Sequence, residues 1–103
     1  MKSIAISTLV VMAVMASTPA MANLELALRN SCMTCHTIDR KVVGPAFQDI
    51  AKKYAGDKAA EAMLINKVRQ GGAGVWGPLP MPPSSDVKAE DINKLVKWVL
   101  APK

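Results

Sequence analysis

The sequence predicts an all-α fold of about four helices, and three observations predict it. Apolar residues recur at i, i+3, i+4 and i+7 in separate stretches, the period of one buried helix face. No stretch alternates apolar and polar residues for long enough to make a useful strand. Proline and glycine cluster between the helical stretches, where they stop one helix and start the next. The chain has 103 residues, which limits it to one small domain. At that size an apolar core alone is marginal, so a staple is expected from a disulfide, a metal or a cofactor.

Residues 1–22 stand apart from the rest. Lys2 precedes a run that is apolar from Ile4 to Ala16 except for Ser7 and Thr8, and the stretch ends Ala20-Met21-Ala22. A basic start, a short apolar run and a small-x-small end read as a secretory signal peptide. Residues 23–103 are then the folded domain. An uncleaved anchor over Ile4 to Ala22 is the alternative. The run is shorter than the roughly 20 apolar residues that a spanning helix needs, and Pro19 weakens a helix there. Asn23 stands where a lipid-anchored bacterial lipoprotein would carry Cys.

The formal charge is +5, and losing Lys2 with the signal makes it +4. The basic residues are scattered, with no run longer than two, and the aromatics are only Phe47, Tyr54, Trp76 and Trp98. A nucleic-acid surface would show a denser stripe and interleaved aromatics. The charge reads as solvation, with weak steering toward an acidic partner.

A first helix is expected from about Leu24 to Ser31, with Asn23 as N-cap and Glu25 in its first turn. A second runs from about Pro45 to Ala55, with Pro45 at its first position. Phe47, Ile50, Ala51 and Tyr54 form its stripe, and Gly56 stops it. Asp57 can cap a third helix, about Lys58 to Gln70, which buries Ala60, Met63, Leu64 and Val68. Residues 71–85 are too rich in Gly and Pro for a regular element. Yet they carry Val75, Trp76, Leu79 and Met81, so they read as a loop packed onto something apolar. The last helix runs from about Ala89 to Ala101, with Ile92, Leu95, Val96 and Val99 as its stripe and Glu90 and Asp91 in its first turn. Lys88 is a poor cap for it, so Asp86 is the alternative. Pro102 stops it.

Both cysteines and the single histidine of the domain lie in Cys32-x-x-Cys35-His36. C-x-x-C-H is the attachment signature of a c-type haem. Two thiols add to the vinyl groups on one porphyrin edge, and the adjacent imidazole turns under the iron. A Cys32–Cys35 disulfide would staple almost nothing. A thioredoxin-like pair would need strands. A zinc site would need a fourth ligand beyond these three. Haem attachment in an oxidising compartment also requires thiols kept reduced until the haem arrives, which implies a dedicated maturation system. For the sixth ligand, Met33 is inside the motif, and Met63 fits the stripe of the third helix as a gap-filler. Met81 lies between Pro80 and Pro82-Pro83, in a stiff loop suited to holding a weak thioether ligand. An open or exchangeable site is the alternative. His/Met ligation raises the reduction potential and favours outer-sphere electron transfer. The imidazole Nδ1–H of His36 needs a carbonyl partner, and Pro45 is a candidate. The Trp76 indole is a candidate donor to a haem propionate, with plain packing as the alternative.

Four segments together resemble a known family. They are Cys32-Met33-Thr34-Cys35-His36, Val43-Gly44-Pro45-Ala46, Gly74-Val75-Trp76-Gly77-Pro78-Leu79-Pro80-Met81-Pro82-Pro83 and Lys97-Trp98-Val99-Leu100. They resemble the short bacterial class I cytochromes c of the c-551/c-552 group. The resemblance implies a single-haem, all-α periplasmic electron carrier, with about four helices wrapped around one covalently bound haem c. It also implies Met81 as sixth ligand, Pro45 as acceptor for the histidine and Trp76 as propionate donor. Lys67 stands where some members have a propionate-binding Arg, which makes a bidentate contact into a point charge. Ser84 stands where several have an Asn bonded to the Met sulfur, and Lys88 replaces a usual Ser or Thr cap.

The function expected is therefore a soluble periplasmic shuttle for single electrons, not an enzyme. Its donor would be a quinol-oxidising cytochrome complex or another carrier. Its acceptor would be a terminal oxidase, a nitrite reductase or a peroxidase. Nucleic-acid binding and stable membrane insertion after signal cleavage are not expected. Two other classes stand beside it: a haem sensor whose iron–Met bond opens, and a haem-free thiol oxidoreductase using Cys32 and Cys35.

Overall fold

The computed structural model describes residues 2–13 and 18–103. Of the apolar run expected to end at Ala16, residues 14–16 lie outside them. Residues 2–13 carry no regular secondary structure and are exposed. The domain is built from four α-helices, one 3-10 turn and one short hairpin. The helices are α1 (Pro19–Arg29), α2 (Phe47–Lys53), α3 (Ala60–Gln70) and α4 (Ala89–Leu100). The turn is Cys32–Thr34, and the hairpin strands are β1 (Gly72–Gly74) and β2 (Gly77–Met81). No helix among the described residues is long and apolar enough to cross a membrane.

The amphipathic α4 organises the fold, packing against α1, α2 and α3. Ile92, Leu95 and Val96 of its apolar stripe are buried, and Ile92 is fully so. Phe47 and Ile50 of α2, Ala27 of α1 and Ala60 of α3 face them. Small residues on α1 and α3 let those helices approach α4 closely. An exposed ion pair, Lys97–Glu61 at 3.8 Å, spans α4 and α3 and adds little.

Several boundaries differ from the sequence reading. α1 starts at Pro19 with Thr18 as N-cap, whose hydroxyl accepts from Met21 N–H. In the uncleaved chain Asn23 is therefore inside the helix and not its cap. Pro19 does not break this helix, because at N1 its missing N–H costs nothing. α2 starts two residues later than expected, with Ala46 as N-cap, so Pro45 stays outside it. There its carbonyl remains free for another donor. Asp57 does cap the turn before α3, its carboxylate accepting from Ala59 N–H at 2.9 Å. Lys88 is the N-cap of α4 and contributes no side-chain bond, and Asp86 does not replace it.

The largest correction concerns residues 71–85. They include an antiparallel hairpin, with Gly72 paired to Met81 and Gly74 to Gly77. Val75 and Trp76 form its two-residue turn. A two-stranded ribbon has two outer edges, so Pro78 and Pro80 sit in β2 at the cost of no inner ladder bond. Met63, expected in the core, is 44 % exposed because its face of α3 turns to a cavity and not to α4.

Candidate haem site

The site begins where α1 stops. Ser31 takes a left-handed conformation at φ 62°, turning the chain into Cys32–Thr34. The His36 N–H then donates to Cys32 O at 3.0 Å. Both thiols are free and half-buried. Burial pushes the Cys32 thiol up from its ordinary value, outweighing its hydrogen bonding. An activated redox cysteine has the opposite shift, which weighs against the thiol oxidoreductase.

The His36 ring is held on several sides. Val43 and Gly44 N–H both donate to Cys35 O, at 3.2 and 2.8 Å, folding the next loop back over the motif. That brings Pro45 O to 2.7 Å from His36 Nδ1. A carbonyl only accepts, so Nδ1 is the donor, and in the neutral ring that leaves the Nε2 lone pair free to bind iron. Gly44 permits the approach. A Cβ there would lie 2.6 Å from His36 Cε1 and 2.9 Å from Nδ1. Phe47 stacks on the imidazole with centroids 5.1 Å apart and planes 22° from parallel. Trp98 supports Phe47 edge-on at 5.4 Å.

The hairpin supplies another wall. Met81 ends β2 and is half-buried. Trp76 sits at the hairpin turn, 39 % exposed, with the Lys53 ammonium 5.8 Å from its ring centre and 5.8 Å from that of Tyr54. Lys53 thus links the end of α2 to the hairpin. Lys67 lays its side chain against Gly72. Ser84 is fixed through its backbone, its N–H donating to Val68 O at 2.9 Å.

These walls enclose one cavity of about 520 Å³, mostly apolar in lining. Cys32, Cys35, His36, Pro45, Lys67, Trp76 and Met81 all border it. Every site residue expected from the sequence therefore meets at one place. The volume is that of a small-molecule or cofactor site. Two thiols and an imidazole at its border, a mostly apolar lining, and Trp76 and Lys67 as polar groups fit a haem. It asks for an apolar slot, a ligand and partners for its carboxylates. Sequence reasoning missed Gly44, Phe47 and Lys53 as parts of the site. Gly44 stood in the sequence only as a member of the Val43-Gly44-Pro45-Ala46 segment, and nothing local showed that an imidazole would rest on it.

Known proteins agree with this geometry. Residues 24–102 match the family model described as cytochrome c. A cytochrome c-551 of Allochromatium vinosum is 49 % identical over 81 residues, covering 79 % of this chain and 86 % of the relative. A cytochrome c-552 of Nitrosomonas europaea is 41 % identical over 100 residues, covering 97 % of each. The crystal structure of wild-type Nitrosomonas europaea cytochrome c552 superposes with a TM-score of 0.74 at 45 % identity. That match covers 78 % of this chain and 99 % of the other. Residues, cavity and relatives converge: the chain belongs to the cytochrome c family, a mono-haem electron carrier with haem c attached covalently through Cys32 and Cys35.

Proposed function

We propose that the protein is a periplasmic shuttle for single electrons, with His36 and Met81 as axial ligands of its haem iron. One observation carries the reading: His36, with Nδ1 committed to Pro45 O at 2.7 Å, and Met81 border the same apolar cavity. Haem c supplies a one-electron ferric/ferrous couple, and a thioether ligand shifts it toward the ferrous form. The chain's own residues do the rest. Pro45 O fixes the histidine tautomer and raises the basicity of Nε2. Gly44 and Phe47 restrict the ring. Pro80, Pro82 and Pro83 stiffen the segment that presents Met81. Trp76 N–H and the Lys67 ammonium serve the propionates, Lys67 as a point charge. The apolar walls exclude water, which limits reorganisation between the two charge states.

Residues 1–22 act as the export signal, and residues 23–103 fold after crossing the membrane. A maturation system keeps Cys32 and Cys35 reduced and joins them to haem. The partners are other redox proteins. The donor is a quinol-oxidising complex or a second carrier, and the acceptor is an oxidase, nitrite reductase or peroxidase. With His36 on iron, no second imidazole borders the cavity, and the role we assign to the chain is electron transfer without transformation of a substrate.

The test is the visible spectrum of protein matured in a periplasm. A sharp low-spin α band on reduction, with a weak far-red sulfur-to-iron band when oxidised, is expected. Met81→Ala should abolish the far-red band, lower the potential and open the reduced iron to carbon monoxide. A variant that keeps its band and potential overturns the ligand assignment.

A further inference from the structure

Met81 is held by the end of α3 as well as by its own proline-rich segment. Gly71 closes α3 at φ +71°, and its N–H donates to Lys67 O at 2.7 Å. The next residue, Gly72, pairs with Met81 across the hairpin. A Cβ on Gly71 would overlap Met81 O and lie 2.8 Å from Pro83 N and 3.0 Å from Pro82 C. All three are backbone atoms, so none can swing aside as a side chain would. Ser84 N–H, donating to Val68 O at 2.9 Å, pins the far end of the same segment to α3. Residues 81–84 therefore lie on the last turn of α3 at a separation that only a hydrogen atom at position 71 permits.

We infer that Gly71 is a positioning residue for the Met81 thioether, fixing the Met81-Pro82-Pro83 backbone against α3 and with it the reach of the sulfur to iron. The inference rests on Met81 being the sixth ligand. Prolines on both sides of Met81 leave few torsions to absorb a displacement. A methyl group at position 71 moves Met81 as part of a stiff unit, and a weak ligand is the bond that yields.

Gly56 provides a control for positive φ without the collision. Its φ is +76°, but a Cβ there meets nothing within 4 Å. Alanine at either position must take a positive φ, and Gly71→Ala adds both the extended ψ of −166° that glycine favours and the collision. In matured holoprotein, Gly71→Ala should lose most of the far-red band. Its reduced form should bind carbon monoxide with an apparent affinity roughly tenfold higher, in proportion to the open fraction. Gly56→Ala should keep both properties of the wild type. If Gly71→Ala matches Gly56→Ala, the inference is overturned. Where Gly71→Ala does not mature, wild-type protein gives the answer through amide exchange with and without cyanide on the oxidised iron. Displacing Met81 should speed exchange at Ser84 N–H and leave Tyr54 N–H, bonded to Ile50 O at 3.1 Å, unchanged. Equal exchange at Ser84 in both states overturns the inference. Met81→Ala, run alongside, separates the two ideas: a far-red band that survives it removes the ligand assignment itself.

Discussion

Phe47 connects the core to the site. It is 4 % exposed and touches the His36 ring on one side and Trp98 on the other. Removing a buried ring leaves a void, so Phe47→Ala should lose about 3–5 kcal/mol. Phe47→Leu refills part of the volume but has no flat face to set against the imidazole. It should lose less stability, yet still shift the paramagnetic NMR resonances of His36. Denaturant midpoints and those resonances, read together, separate packing from ring orientation. If the leucine variant leaves the His36 resonances untouched, the stack has no orienting role. The contrast explains what sequence reading could reach here. Cys32, Cys35, His36 and Met81 carry chemistry in their atoms, so residue type and spacing mark them. Phe47 and Gly44 act through where the fold brings them. In sequence one is a member of a stripe and the other a glycine just ahead of the second helix.

Among the elements, α4 shows how much packing outweighs local signals. Its N-terminus has no side-chain cap, yet its apolar face is buried against three helices. Its other end is covered by Lys103, whose ammonium donates to Val99 O at 3.3 Å, Ala101 O at 2.9 Å and Trp98 O. The same ammonium lies 5.2 Å from the Trp98 ring centre. Partial burial lowers the Lys103 pKa from its ordinary value. The folded state thus binds this proton less readily than the unfolded state. Its penalty is full at neutral pH and is relieved as pH rises through the folded value toward the unfolded one, near ~10.4. Wild type should therefore gain stability relative to Lys103→Met over that alkaline window, measured by urea midpoints. A constant difference would remove the linkage. The hairpin makes the complementary point. Glycine and proline density argued against a regular element in residues 71–85. A ribbon with both edges open needs few N–H groups, and its twist suits glycine. Local composition therefore gave the segment's apolar purpose and missed its form.

For the whole molecule, the protein core and the cofactor cavity compete in size. Among the described residues the buried apolar set is Ala27, Ala46, Phe47, Ile50, Ala60, Ile92, Leu95 and Val96, and three of these are alanines. Met63, Val75 and Trp76 border a cavity of about 520 Å³ and not that core. At ~24 cal/mol per Å³, a void of that volume would cost about 12 kcal/mol. That is comparable to the whole stability of an ordinary domain, about 5–15 kcal/mol. Water entering an open cavity reduces the figure but returns no apolar contact. Covalent attachment should thus be a condition of folding as well as of electron transfer. The double variant Cys32→Ala/Cys35→Ala is expected to lose cooperative thermal unfolding by circular dichroism and to be cleaved readily by protease between residues 23 and 103. Added haemin, bound by His36 without thioether bonds, should restore part of the helix signal by mass action. A sharp unfolding transition in the haem-free variant would mean that α1, α2, α3 and α4 hold together through the small core alone. The cavity would then be a rigid socket formed in advance of its cofactor.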